Sequence, residues 1–152
     1  MALDATDRRI LSALQISGRM SNADLSDKVN LSQSACHRRV QRLETDGYIN
    51  GYVALLNARK LEVPTTVFVE ITLQGQADEV LDAFEKAVAR IPDVLECHLM
   101  AGSADYLLKV VAENTEDFAR IHRQYLARLP GVSQMQSSFA LRTVFKTTAL
   151  PV

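Results

Sequence analysis

Patterns that carry covalent or metal chemistry are scarce in this sequence. Cysteine occurs only twice in 152 residues, at Cys36 and Cys97, each inside an apolar periodic segment. No C-x-x-C spacing or histidine-rich tract accompanies them, so no thiolate metal site is encoded. The two thiols read as buried and reduced. The pairs Cys36-His37 and Cys97-His98 do not read as chelates either. Adjacent residues diverge by about 100° on a helix and point to opposite faces of a strand. Cys36 reads as core, with His98 and His122 as ordinary sheet and helix residues. There is no G-x-S-x-G elbow and no glycine loop of the phosphate-cradling kind. Asp105 has no second carboxylate nearby in sequence. No catalytic residue and no cofactor are therefore expected. No apolar run approaches the ~18 residues that a membrane span needs. The opening MALDATDRR lacks a basic stretch followed by an apolar one, so no secretory signal is expected there. The expected compartment is the cytoplasm, with no membrane partner.

The residues that are present have the balance of a globular protein, 47% hydrophobic and 23% charged. The net charge of −1 conceals an asymmetry. Residues 1–60 hold nine Lys+Arg against six Asp+Glu, whereas residues 61–152 hold eight against twelve. A basic first part joined to an acidic second part places contact with nucleic acid in the first.

The first part predicts three helices. Asp4–Ser17 has Asp4 as its cap, Asp7 beside the N-terminal dipole, and Ile10, Leu11 and Leu14 as its buried stripe. Gly18 ends it. Ser21-Asn-Ala-Asp24 resembles a capping box and opens a short helix that buries Leu25 and Val29. After Asn30-Leu31, Ser32 caps a third helix running to Asp46, with Gly47 in the left-handed position beyond its end. On this helix Cys36, Val40 and Leu43 share one stripe. Ser34, Arg38 and Gln41 lie about opposite, with His37 and Arg42 at the margins. Between Lys28 and Arg42 there are four cations and no carboxylate.

Long helix, short helix, tight turn and capped basic helix form the helix-turn-helix order, whose last helix enters the major groove. The candidate DNA-contacting residues are Ser32, Gln33, Ser34, His37, Arg38, Gln41 and Arg42. Arg38 is assigned to a base edge, with His37 and Arg42 at phosphates. A solvated basic face on a plain three-helix bundle is the other reading. The clustering of cations on the third helix alone favours DNA. Alternation of Ile49, Val53 and Leu55 predicts a strand over Gly47–Leu56, either a wing or a connector. Domain limits are placed at 1–50 for the helix-turn-helix, 51–62 for the connecting strand and linker, and 63–152 for the remainder.

The remainder reads as β-α-β-β-α-β. Thr65–Leu73, Val94–Met100, Tyr106–Ala112 and Val132–Thr147 are the expected strands. Ala77–Arg90 and a segment capped by Asn114 or Thr115 and reaching Leu129 are the expected helices. The segments Ala89-Arg-Ile-Pro-Asp-Val94 and Ala127-Arg-Leu-Pro-Gly-Val132 echo each other at the same place in two βαβ halves. This predicts a ferredoxin-like α+β fold with a four-stranded antiparallel sheet. Apolar residues occur at both parities of Val94–Met100, so both sheet faces need cover, and a second copy of the chain supplies it as a homodimer.

The order of these pieces, carried by LDATDRRILSALQISGRMSNADLSDKVNLSQSACHRRVQRLETDGYI, then AGSADYLLKV, then the PGV opening the last strand, resembles the Lrp/AsnC (feast/famine) transcription regulators. The likeness leans toward the leucine-responsive branch and covers essentially the whole chain. It implies a winged-type helix-turn-helix domain, an amino-acid-sensing ferredoxin-like domain, and dimers that assemble further, often to octamers. It also implies an effector held between dimers. Carried over, the effector-binding residues are Met100, Gly102, Ser103, Ala104, Asp105 and Tyr106, with Ser137, Ser138 and Phe139 from a neighbour. In that reading Asp105 takes the ammonium of a leucine- or methionine-like amino acid, and turn N–H groups take its carboxylate. The bland alternative is that Gly-x-x-Asp merely closes a hairpin. For the whole chain, the alternative is a small-molecule-binding enzyme subunit with a structural helical bundle.

Overall fold

The computed structural model describes residues 2–152. The chain forms two units, Met1–Leu55 with Phe145–Val152, and Leu56–Val144.

The first unit holds α1 (Ala5–Ile16), α2 (Asn22–Val29) and α3 (Gln33–Thr45). Each starts on a side chain suited to the task. Asp4 accepts from the Asp7 N–H at 2.7 Å, and the Asp7 carboxylate accepts from the Asp4 N–H at 3.2 Å, a reciprocal capping box. Ser21 accepts from the Asp24 N–H at 3.1 Å, and Ser32 from the Ala35 N–H at 3.2 Å. The ends are equally local. Asn30 takes the left-handed conformation after α2, and Gly47 does so after α3 with φ of 78°. Beyond α3, Gly47 N–H donates to Glu44 O and Tyr48 N–H to Leu43 O, which satisfies two orphan carbonyls. Ile10, Leu14, Leu25, Val29, Cys36 and Leu43 form the core between the three helices.

The strand expected over Gly47–Leu56 is not formed. No residue of that segment joins a ladder among the described residues. Its side chains serve the helical unit instead. Ile49 packs on the core, the Tyr52 hydroxyl donates to Glu44 at 2.9 Å, and Tyr52 lies close against Gly18. Val53 and Leu55 are exposed, and among the described residues no strand lies beside them to satisfy the backbone; alternation alone does not make one.

The second unit has strand order β2-β3-β1-β4, all neighbours antiparallel, from β1 (Thr65–Leu73), β2 (Val94–Leu99), β3 (Tyr106–Ala112) and β4 (Val132–Phe139). Helices α4 (Asp78–Val88) and α5 (Thr115–Gln124) contribute to one face, with a short 3₁₀ turn after α5 where a single helix to Leu129 was expected. The alternation in β1 is realised: Val67, Val69, Ile71 and Leu73 are buried beside Leu108, Val110, Phe84, Val88, Phe118 and Ile121.

Three expectations about this unit change. The last strand stops at Phe139 rather than Thr147, because its partner β1 begins just after Pro64. The final backbone bond, Ala140 N–H to Thr66 O, uses up the available ladder. Residues 145–152, placed in the second domain by sequence, group with the helical unit, where the Gln15 amide both donates to Leu150 O and accepts from Leu150 N–H. A bulge at Leu95 alters the parity of β2. Val94 pairs with Val110 and Cys97 with Leu108 on the helix side, while Glu96 and His98 take the open side. Cys97 is exposed, not buried, since β2 is an edge strand. The open face is thus less apolar than expected on β2, and its greasy residues are Phe68, Leu107 and Val111.

Two glycines require their freedom. Both Gly47 and Gly131 have positive φ, but a Cβ on Gly47 would meet nothing, whereas one on Gly131 would sit 3.0 Å from Val80 Cγ1. Gly47→Ala should therefore cost about 1 kcal/mol for the left-handed backbone, and Gly131→Ala about 2–3 kcal/mol, since it adds a tight contact. Urea titrations of the two variants should show the larger midpoint loss for Gly131→Ala.

Candidate nucleic-acid and effector sites

Ser32, Gln33, Ser34, His37, Arg38 and Gln41 are all exposed along one side of α3 and its cap. The cause is the stripe behind them: Cys36 and Leu43 are fully buried, which turns residues near 180° outward. Arg38 has no carboxylate partner among the described residues. Arg38 lines a groove of about 370 Å³ together with Leu31, Ala35, Arg39 and Arg42. At the front, Asn22 Nδ2 donates to Gln33 O at 2.8 Å and ties the start of α2 to that of α3.

Arg42, expected at a phosphate, has a partner inside the domain. Its Nη2 lies 2.6 Å from Asp7 Oδ2. Arg39, which the sequence reading left out, lies 2.8 Å from Asp7 Oδ1 and 2.6 Å from Asp4 Oδ2. Asp7 is 1% exposed. The Asp4 carboxyl is held down to about 2 by the Asp7 N–H and then by the Arg39 guanidinium. The signal for this cluster was present. Asp7, Ile10 and Leu14 follow helical spacing, so a carboxylate on that stripe demands cationic partners.

In the second unit, Asp105 is more engaged than a free ammonium receptor. Its Oδ2 accepts from Leu73 N–H at 2.7 Å and its Oδ1 from Gln76 Nε2 at 3.0 Å. Its N–H donates to Ile71 O, and its carbonyl accepts from Met100 N–H. Asp105 thereby fastens the turn after β1 to the turn before β3, not merely its own hairpin. About two lone-pair directions on the carboxylate stay open. The N–H groups of Gly102, Ser103 and Ala104 have no hydrogen-bond partner among the described residues. Met100 is 43% exposed.

Tyr106 departs from its expected place. It is buried, stacked on Phe84 with ring centroids 4.5 Å apart, and its hydroxyl donates to Glu85 at 2.6 Å. Burial and then the Glu85 carboxylate push its pKa well above the usual phenol range. It floors a groove of about 440 Å³ between α4 and β2 rather than a slot at the loop. On β4, Ser137 and Phe139 face the helices, Phe139 edge-on to Phe118, while Ser138 pairs opposite Phe68 on the open side. Phe139 pairs with Val67, whereas Asp105 bonds Ile71. Four residues of strand, roughly 13 Å, separate these positions along β1. One chain does not bring the loop and Phe139 into a single site, although Ser137, opposite Val69, lies only two strand residues from Ile71.

The sequence matches the AsnC-type helix-turn-helix domain over residues 3–44 and the Lrp/AsnC ligand binding domain over residues 66–150. It is 41% identical over 150 residues to the leucine-responsive regulatory protein of Escherichia coli K12, covering 99% of this chain and 92% of that protein. A transcriptional regulator from Neisseria meningitidis solved as an L-Met complex superposes with a TM-score of 0.94 at 35% identity, over 99% of this chain and 97% of that one. An AsnC family regulator from Agrobacterium tumefaciens gives a TM-score of 0.94 at 37% identity, over 98% and 97%.

Removing the Asp105 carboxylate leaves the half-buried Leu73 N–H without its acceptor. Asp105→Ala should cost about 1–3 kcal/mol of stability in the second unit, as for an unsatisfied buried donor. Hydrogen exchange should quicken at Leu73 while α1–α3 keep their protection.

Proposed function

The chain belongs to the Lrp/AsnC family of transcriptional regulators, and from that membership we propose that α3 reads duplex DNA under the control of a free amino acid. Members of this family are regulators rather than enzymes, so the enzyme-subunit alternative falls away. The observation that carries the proposal is the exposed polar side of α3, with Arg38 projecting from it and unneutralised.

In this reading Ser32, Gln33 and Ser34 meet backbone and base edges at the start of the helix. Arg38 and Gln41 read bases, and His37 stands by a phosphate. Guanidinium geometry suits the guanine O6 and N7 pair. The effector is an aliphatic amino acid of leucine or methionine type. Its carboxylate takes the free N–H groups of Gly102, Ser103 and Ala104, its ammonium takes the open lone pairs of Asp105, and Met100 adapts to its side chain. Ser137 and Phe139 complete the wall from a second chain, whereas Ser138 between them faces the open side of the sheet. The separation along β1 supports that arrangement. Tyr106 is buried against α4 and tied to Glu85, and does not line the slot. A homodimer covers Phe68, Leu107 and Val111 on the open face, and dimers assemble to an octamer in the cytoplasm. No helix among the described residues is long and apolar enough to cross a membrane. Effector binding shifts DNA affinity through the contact between dimers.

Two variants test the two halves. Arg38→Ala should weaken binding to a selected duplex by ~1–3 kcal/mol and relax preference at particular base pairs. An unchanged preference in a sequencing-based selection would refute the base-reading role. Asp105→Asn keeps an acceptor for Leu73 N–H but drops the charge. Calorimetry with L-leucine and L-methionine should show binding to the parent protein and at least a tenfold loss in this variant, with DNA binding intact. Equal affinity in parent and variant would remove Asp105 from the effector site.

A further inference from the structure

Arg39 and Arg42 sit on the flank of the proposed reading helix, yet neither points freely at solvent. Their guanidiniums converge on one carboxylate, Asp7, at 2.8 and 2.6 Å. Asp7 is 1% exposed, and the two arginine side chains are 30% and 33% exposed. Asp4 adds a second carboxylate at 2.6 Å from Arg39. The cluster therefore contains two anions and two cations. All of it joins the first turn of α1 to the flank of α3. Arg38 borders the same groove without such a partner.

We propose that Asp7 is a specificity-determining positioning residue, which holds Arg39 and Arg42 off the DNA backbone so that Arg38 is the unneutralised cation at the reading face. The proposal rests on the DNA-reading role of α3 and adds to it a reason for discrimination. A cation on a phosphate adds affinity for any sequence, whereas discrimination is the ratio of specific to non-specific binding. Two guanidiniums free to swing onto phosphates would raise the non-specific level and leave base reading unchanged. Clamped to α1, they fix the tilt of α3 instead. The arginines' partial exposure means that the clamp, not burial, restrains them.

The measurement is the slope of log affinity against log salt, which counts phosphates neutralised, at about 0.9 per contact. It is taken on a random-sequence duplex pool and on a duplex selected from that pool by the parent protein. Asp7→Asn keeps the size and the Asp4 hydrogen bond but drops the charge that holds two guanidiniums. It should steepen the slope on the random pool by roughly one to two units and lower the ratio of specific to non-specific affinity several-fold. A purely structural role for Asp7 would weaken both duplexes together and leave the slope alone. Should Asp7→Asn fail to fold, Arg42→Gln decides, since Asp7 keeps Arg39. The clamp predicts an unchanged slope in Arg42→Gln. A loss of about one unit, as expected for a lost phosphate contact, overturns the proposal. So does an unchanged slope and ratio in folded Asp7→Asn. The parent protein is the control for the underlying reading: if it binds neither duplex in a salt-dependent way, DNA reading by α3 itself has failed, and the clamp with it.

Discussion

A carboxylate with almost no access to water is the constraint on which the helical unit depends. Asp7 is 1% exposed and shares its helical stripe with Ile10 and Leu14, and a buried anion is tolerated only when paired and hydrogen-bonded. The chain supplies that compensation from α3, through Arg39 and Arg42, and from the backbone of Asp4. Satisfying the charge fixes where α3 lies against α1. Because α3 has one buried stripe, fixing its position also fixes which side chains face outward. The outward face made of Ser34, Arg38 and Gln41 thus depends on two things together, the buried Cys36 and Leu43 stripe and the ion pairs that hold α3 to α1.

A carboxylate plays a comparable part in the second unit, although it is only half-buried. Asp105 accepts from Leu73 N–H and Gln76, and so ties two turns at one end of the sheet. The tie leaves the N–H groups of the neighbouring Gly102–Ala104 segment directed away from any partner among the described residues. In the proposed function these free donors take the carboxylate of an amino acid, and the Asp105 carboxylate takes its ammonium. In both units an acidic side chain first builds the structure. In the proposed function the groups left over meet a partner, DNA in one case and an amino acid in the other.

Much of this was legible from sequence because it depends on local rules. Caps at Asp4, Ser21 and Ser32 and the left-handed Gly47 follow from backbone groups that must be satisfied at helix ends. The alternation of β1 and the echoed Pro-turns gave the ferredoxin-like order, since period-two burial has one physical meaning. What was not legible depends on partners distant in sequence. The segment around Val53 alternates, yet no strand lies beside it. β4 could not run past Phe139, because its ladder depends on where Pro64 lets β1 begin. One bulged residue, Leu95, reversed the parity of β2. Arg42 looked like a phosphate contact because its position at the helix margin says nothing about a carboxylate found in another helix. Tyr106 looked like a wall of the loop, but strand alternation places it beneath α4. The clue that was missed is Asp7 itself, a charge in step with Ile10 and Leu14.

In the proposed function one face of α3 reads DNA and an amino acid alters the reading. Selection of bound duplexes from a random pool by the intact protein, sequenced with and without L-leucine or L-methionine, tests it most directly. One recurring motif of two related half-sites is expected, spaced by about a helical turn or a multiple of it, with its enrichment changed by at least one of the amino acids. Bound duplexes that share no motif, or a motif whose enrichment neither amino acid alters, would contradict it.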